Sequence, residues 1–150
     1  MPSLKTVLRS LTLAAGFAAA LGAAPAAAQQ TLVVGNDRGG LVGQRALQIE
    51  QLKRAGRRVE IRGSVCYSSC TMYLGAGNVC VDPRTSFGFH GPSRSGRPLP
   101  ADQFDKWSRI MARYYSPQLQ QWFMSQARYS ITTLTQVSGR QLIAMGYPTC

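Results

Sequence analysis

The segment GSVCYSSCTMYLGAG, residues 63–77, decides the fold of this chain. It places two serines between two cysteines, after a β-branched run and before an apolar, helix-like run. A strand-to-turn-to-helix step of this kind can present a serine hydroxyl, with the amide of the next residue directed at the same place. The two cysteines could instead form a disulfide or bind a metal. The rest of the sequence has to distinguish among these three interpretations.

The first 28 residues have the pattern of a secretory signal peptide. Lys5 and Arg9 form a basic start, an alanine-rich apolar run extends to Leu21, and residues 26–28 are alanines. The run is short for a membrane span, which needs about 20 strongly apolar residues. We therefore predict cleavage after residue 28, a single domain over residues 29–150 and a periplasmic or secreted protein without a transmembrane span.

The chain is strongly basic. Its formal net charge is +11, and removal of Lys5 and Arg9 with the signal peptide leaves +9. Such a surface can attract anionic lipid, envelope polyanions or nucleic acid. The positive charges are scattered along the sequence, so a solvated basic surface is the simpler interpretation, and we expect no specific nucleic acid partner.

Four cysteines remain in the exported part: Cys66, Cys70, Cys80 and Cys150. In an oxidising compartment an even number of cysteines usually means disulfides. A zinc site of four thiolates normally has two closely spaced cysteine pairs, and here only the first two cysteines are close. We therefore expect disulfides and no metal or other cofactor, and the residues alone leave every pairing open.

The order of the predicted elements indicates an α/β fold with a mainly parallel sheet and flanking helices. Strands are predicted at 31–34, at 59–62 running on to the turn at Ser68, at 79–81 and at 86–89; helices are predicted at 41–55, 72–76, 102–115, 117–128 and 138–145. A Ser-x-x-Gln capping box opens the last helix. Residues 91–100, rich in Gly, Pro, Ser and Arg, are predicted to form an exposed loop.

Three features of the sequence together form a candidate catalytic site. A Gly-Gly pair at 39–40 follows the first strand, Ser68 lies at the turn, and a later strand ends at His90, the only histidine. Glycines allow close backbone approach, and an amide donor there can stabilise an oxyanion. An imidazole can remove a serine proton and later return it. The set is typical of acyl transfer through a serine.

These segments resemble the ClpP/crotonase superfamily, most closely the exported ClpP-like proteins of bacteria. Residues 36–43, NDRGGLVG, are similar to its Asn-Ser-Pro-Gly-Gly loop, and residues 63–71, GSVCYSSCT, to its Gly-x-Ala-x-Ser-x-Gly-Ala segment. Residues 83–90, PRTSFGFH, are similar to its Pro-x-Ser-x-x-x-x-His segment, and residues 138–146 to its late Ser-Ala-x-Glu-Ala-x-x-x-Gly helix. The resemblance implies a small ClpP/crotonase-like fold over nearly all of the exported chain.

The resemblance also implies roles for single residues. Ser68 falls on the nucleophile, His90 on the general base, and the amides of Gly40 and Ser69 on the oxyanion hole. Related proteins form trimers or rings, so a homo-oligomer is expected here.

The cysteines around Ser68 fit this arrangement. A sharp turn could bring the α-carbons of Cys66 and Cys70 within the distance that a disulfide tolerates, and that bond would brace the turn. Cys80 and Cys150 would then either pair or both stay free. A thiol nucleophile is the less favoured interpretation of this segment, because exported cysteines are usually oxidised.

The chain departs from the family in two ways. The family's acid, which orients the histidine, should fall near residue 130, where this chain has Ser130 and Thr132 and no carboxylate. Losing that acid from a triad can cost about four orders of magnitude in rate when the imidazole adopts the wrong tautomer. The unit before the Gly-Gly loop is also shortened, because the family has a further strand and helix there.

Two functions follow as expectations. The first is an exported serine hydrolase, peptidase-like, that acts on peptide or protein through a Ser68–His90 dyad. In it, the hydroxyl of Ser130 or Thr132, or a backbone carbonyl, would orient the imidazole. The second is a non-catalytic ClpP-like binding or scaffold module of the cell envelope, in which Ser68 only caps the following helix.

Overall fold

A computed structural model describes residues 30–150, in which helices and short strands alternate along the chain. The predicted signal peptide and its cleavage site lie outside the described residues. In chain order the elements are β1 (Leu32–Val34), α1 (Val42–Arg54), β2 (Val59–Ile61), β3 (Val65–Tyr67), a 3₁₀ helix (Ser68–Gly75) that we call the elbow helix, β4 (Val79–Val81), β5 (Ser86–Phe89), β6 (Ser93–Arg94), β7 (Arg97–Pro98), α2 (Ala101–Ala112), α3 (Pro117–Ser125), a second 3₁₀ helix (Ala127–Tyr129), β8 (Thr135–Ser138) and α4 (Gly139–Ala144). Within residues 30–150, none of the helices is both long and apolar enough to cross a membrane.

Six of the eight strands form two small three-stranded sheets with mainly parallel pairing, and β6 and β7 form a separate two-stranded sheet. The first sheet is wholly parallel in the order β1-β2-β4, and the second is mixed in the order β3-β5-β8. In the second sheet β3 and β5 are parallel, whereas β8 is antiparallel to β5. The predicted α/β class is therefore confirmed, although the predicted sheet is divided into two.

The division occurs at Gly63: the strand predicted at 59–62 is confirmed as β2, whereas its predicted continuation to the turn at Ser68 is wrong. The amides of Arg62 and Gly63 both donate to the carbonyl of Val34, at 2.9 and 3.2 Å, and the chain then bends into the second sheet. A Cβ on Gly63 would collide with the backbone of Gly35. The bend therefore depends on a glycine at this position.

The structure also differs from the predicted elements at β8, which was not predicted, and at residues 91–100. The latter residues are exposed for the most part, as expected, but they contain a hairpin of β6 and β7 rather than an irregular loop. The predicted capping box is confirmed: Ser138 Oγ accepts the amide of Gln141 at 3.3 Å, and Gln141 Oε1 accepts the amide of Ser138 at 2.8 Å.

A core of aromatic and aliphatic side chains joins the sheets to the helices. Phe89 of β5 makes edge-to-face contacts with Tyr115 and Trp122, with ring centroids 5.5 and 5.4 Å apart. Such pairs add about 0.5–1.5 kcal/mol beyond the burial of their area. Met111 of α2 and Phe123 of α3 are buried, so both helices contribute residues to the core.

Two disulfides connect Cys66 with Cys70 and Cys80 with Cys150, with Cα atoms 5.3 and 4.9 Å apart. The Cys66–Cys70 pair is the staple expected across the turn. The C-terminal tail also pairs with β4, because the amide of Val81 donates to Pro148 O at 2.9 Å. Two disulfides fit a protein that folds in an oxidising compartment.

Candidate functional site

Ser68 lies where β3 turns into the elbow helix, and its backbone is held in the left-handed region. Its φ is +57°, and in residues 30–150 only one other non-glycine residue, Ser95, has a positive φ. This conformation costs a non-glycine residue of order 1–3 kcal/mol, and residues strained in this way cluster at functional sites. The Ser68 side chain is half-buried.

Two side chains fix the carbonyl of this turn. Thr71 Oγ1 donates to Ser68 O at 2.7 Å and lies 2.7 Å from the buried hydroxyl of Tyr115. Burial raises the pKa of Tyr115, so this hydroxyl keeps its proton and can donate to Thr71. The turn is therefore anchored from inside the core, in addition to its disulfide.

The Gly-Gly loop is hydrogen-bonded to the strand that leads into the turn. Asp37 O accepts the amide of Tyr67 at 2.8 Å, and Asn36 Oδ1 accepts the amide of Ser64 at 2.7 Å. The Asp37 carboxylate accepts the amide of Gly39 and the guanidinium of Arg45, each at 2.7 Å. The loop is therefore held against β3 and, through Arg45, against α1.

Gly39 is packed directly against Ser68. A Cβ built on Gly39 would lie 2.9 Å from Ser68 Oγ, and the φ of Gly39 is +100°. Glycine is needed here both for the backbone conformation and for the space. Gly40, the next residue, lines the same cleft as Ser68.

His90 follows the end of β5 and is half-buried. Its Nδ1 lies 2.7 Å from the carbonyl oxygen of Gly91. A carbonyl oxygen can only accept, so Nδ1 carries the proton, and in the neutral imidazole Nε2 is left as an acceptor. This is the tautomer that a general base needs when it takes a proton through Nε2.

The hydroxyls predicted as orienting groups are bound elsewhere or exposed. Ser130 Oγ lies 3.0 Å from Thr135 Oγ1, and its carbonyl accepts the amide of Gly91 at 2.8 Å. Thr132 is exposed. The backbone carbonyl of Gly91, and neither of these hydroxyls, makes the hydrogen bond to Nδ1 of His90.

One cleft of about 660 Å³ brings together Gly40, Ser68 and His90. Its walls are the start of α1, the hairpin residues 92–96, and Trp107 and Met111 of α2. In the described chain, no hydrogen bond joins Ser68 Oγ to the His90 ring. Gly40, Ser68 and His90 therefore share a cleft, without a hydrogen bond between the serine and the histidine among the described residues.

Ser69 occupies a different environment from Ser68. It is fully buried, does not line the cleft, and its hydroxyl has no hydrogen-bond partner among the described residues. Its amide lies in the first turn of the elbow helix, where amides have no acceptor within the helix. The side chain that reaches the cleft is therefore that of Ser68, whereas Ser69 can offer only its amide.

The sequence prediction missed the hairpin and α2 as cleft walls. The Ser-Gly pair at 95–96 is a turn signal that could have indicated the hairpin. The position of Trp107 could not be read from local sequence, because it depends on the packing of α2 against Gly43 of α1, where a Cβ would lie 3.5 Å from the indole.

No protein-family model matches this chain, and no curated protein matches it either.

Proposed function

We propose that this protein is an exported serine hydrolase, peptidase-like, with Ser68 as nucleophile and His90 as general base. The observation that carries the proposal is the left-handed backbone of Ser68 at a strand-to-helix turn, in a cleft that it shares with His90. Parallel strands around the turn and a Gly-Gly loop against the serine also support a ClpP-like arrangement.

In the proposed reaction, Nε2 of His90 removes the proton from Ser68 Oγ, which attacks the substrate carbonyl carbon. The amides of Gly40 and Ser69 stabilise the oxyanion. His90 then protonates the leaving group, and water, activated by the same imidazole, releases the acyl group from Ser68. The carbonyl of Gly91 holds the tautomer but adds no negative charge near the imidazolium, so turnover should be slower than with a carboxylate.

A fluorophosphonate probe tests the proposal on the chain from residue 29 to 150. We expect an adduct on Ser68 in wild type and none in Ser68→Ala, with labelling at least about 100-fold slower in His90→Ala. Ser130→Ala should label like wild type, since its hydroxyl does not contact the imidazole. Absence of labelling at Ser68 in folded protein, under conditions that label a control hydrolase, would contradict the proposal.

The second candidate function is a non-catalytic ClpP-like binding or scaffold module of the envelope. It is favoured by the missing carboxylate at His90 and by the missing hydrogen bond between Ser68 and His90 in the described chain. A cellular phenotype unchanged by Ser68→Ala supports this function. Turnover that disappears with Ser68→Ala excludes it.

We also propose that the protein forms a homo-oligomer. Val33 lies on β1, an outer strand of the first sheet, and its side chain is 56% exposed; Leu47 on α1 is 67% exposed. An outer strand that carries an exposed apolar side chain can pair with the edge of a second subunit. Light scattering that reports a monomer across micromolar concentrations would contradict this proposal.

A further inference from the structure

The hairpin of β6 and β7 places two arginines side by side at the cleft. Its two-residue loop, Ser95 and Gly96, has φ values of +51° and +75°, the signs that a type I′ turn requires. This turn sets the register in which Arg94 lies directly opposite Arg97. Directly opposite residues of an antiparallel pair point to the same face, so both guanidinium groups leave the hairpin on one side.

In the part of the chain that the structure describes, the two arginines have no partner of opposite charge. Among the ion pairs of residues 30–150, none includes Arg94 or Arg97. Like charges directly opposite each other destabilise a strand pair. The hairpin therefore carries a repulsion that a bound anion would relieve.

The position of the pair connects it to the candidate catalytic cleft. Arg94 lines that cleft together with Ser68 and His90, and no lysine, other arginine or carboxylate is among its lining residues. Arg94 and Arg97 also line an adjoining cavity of about 540 Å³ outside the cleft, again without a carboxylate. A ligand that extends from the cleft past the hairpin would meet both guanidinium groups.

We propose that Arg94 and Arg97 bind a carboxylate of the substrate, so that the cleft selects peptides that present a carboxylate to the hairpin. Guanidinium groups bind carboxylates through paired, charge-assisted hydrogen bonds. The positive hairpin would also attract anionic ligands to the cleft. As a statement about substrates this rests on the proposed hydrolase function, whereas the binding itself does not require catalysis. The carboxylate can come from an acidic side chain or from a peptide C-terminus.

Peptide binding to the Ser68→Ala protein, followed by anisotropy of a neutral dye, separates these sources. Three hexapeptides of otherwise identical sequence carry a central Glu with an amidated end, a central Gln with an amidated end, or a central Gln with a free end. We expect at least one carboxylate peptide to bind about three- to tenfold tighter than the uncharged peptide, and less so at high salt. The peptide that binds tighter identifies the source.

Arginine variants test whether the hairpin is responsible. Arg94→Gln and Arg97→Gln should each remove most of the preference for the carboxylate peptide. Arg140→Gln is the matched control, because Arg140 is an exposed arginine of α4 that lines neither cavity. Equal affinity for the three peptides, no binding of any of them, or a preference that survives both hairpin variants would overturn the inference.

The outcome is distinguishable from that of the hydrolase proposal. Fluorophosphonate labelling of wild type reports on Ser68, and anisotropy with Ser68→Ala reports on the hairpin alone. Labelling without a carboxylate preference overturns only the substrate inference. A carboxylate preference without labelling overturns the hydrolase proposal and makes the carboxylate peptide a ligand of the hairpin instead of a substrate.

Discussion

At the scale of single residues, the candidate site depends on how closely backbone atoms approach Ser68. We expect Gly39→Ala to lower stability by about 1–3 kcal/mol, because it places a side chain at a φ that costs a non-glycine residue this much. The added Cβ would also lie 2.9 Å from Ser68 Oγ and displace it. Denaturant unfolding and the rate of fluorophosphonate labelling measure the two effects.

Gly35→Ala is the matched control for this change. A Cβ on Gly35 would have no heavy atom within 4 Å, although Gly35 precedes the same loop. The control should unfold and label like wild type. Equal effects of the two substitutions would show that the contact between Gly39 and Ser68 is not what constrains the site.

Asp82 lies in the turn between β4 and β5, and we expect its carboxyl group to make the free energy of unfolding depend on pH in the acid range. Hydrogen bonds from the Arg84 side chain and amide lower the pKa of Asp82 from 3.8 to about 2. A carboxyl group whose pKa is lower in the folded state stabilises the fold above its unfolded pKa, and this contribution is lost as pH falls through the folded pKa. The free energy of unfolding should therefore fall between about pH 4 and about pH 2.

Urea unfolding over a pH series measures this dependence. Asp82→Asn should flatten the decline, because the amide keeps an acceptor for the Arg84 backbone but cannot titrate. Asp102→Asn is the control, since Asp102 is an exposed carboxylate in the first turn of α2. The same slope in wild type and in Asp82→Asn would contradict the assignment to Asp82.

At the scale of elements, local signals predicted those elements whose ends are marked by the residues themselves. Helix α1 has apolar residues near the helical period and ends before Gly56, and α4 starts at its own capping box. The break between β2 and β3 was missed because it depends on the contact between Gly63 and Gly35, which are far apart in sequence. Strand β8 was missed because its four residues become a strand only by pairing with β5.

The same distinction applies to the candidate site. Ser68, His90 and Gly40 could be named from the sequence because each follows a short apolar strand and belongs to a residue type with its own chemistry. The hydrogen-bond partner of His90 Nδ1 could not be named from the sequence, because it is a backbone carbonyl and every residue has one. Arg94 could not either, since its position depends on the register that the Ser95-Gly96 turn imposes.

The elbow helix and β3 are joined by a disulfide whose cysteines flank Ser68 at equal distance in sequence, and both are fully buried. We expect the double variant Cys66→Ala with Cys70→Ala to label with fluorophosphonate about tenfold more slowly, since small misplacements of a nucleophile are costly. The double variant Cys80→Ala with Cys150→Ala should label like wild type per folded molecule. Labelling that slows equally in both variants would show a general loss of structure instead.

At the scale of the whole molecule, the scarcity of carboxylates shapes the surface. The Glu60 carboxylate accepts hydrogen bonds from the side chains of both Arg58 and Arg62, and these bonds lower the pKa of Glu60. Asp105 is likewise shared by Arg109 and Arg128. Because one acid serves two arginines at each of these places, positive charge remains in excess, and an anionic ligand would be attracted by the molecule as well as by the hairpin.

We expect the Cys80–Cys150 disulfide to contribute more to the free energy of unfolding than the Cys66–Cys70 disulfide, although Cys66–Cys70 has the larger effect on labelling of Ser68. Cys80 and Cys150 are 70 residues apart, and a loop of that length constrains the unfolded chain by about 4 kcal/mol. Cys66 and Cys70 are only 4 residues apart, which gives about 2 kcal/mol by the same argument. Unfolding of wild type and of both alanine double variants, each with and without reductant, isolates the cross-link from the packing of the sulfur atoms. We expect reduction to destabilise the variant that retains Cys80–Cys150 by more than the variant that retains Cys66–Cys70, and the reverse order would contradict the loop argument.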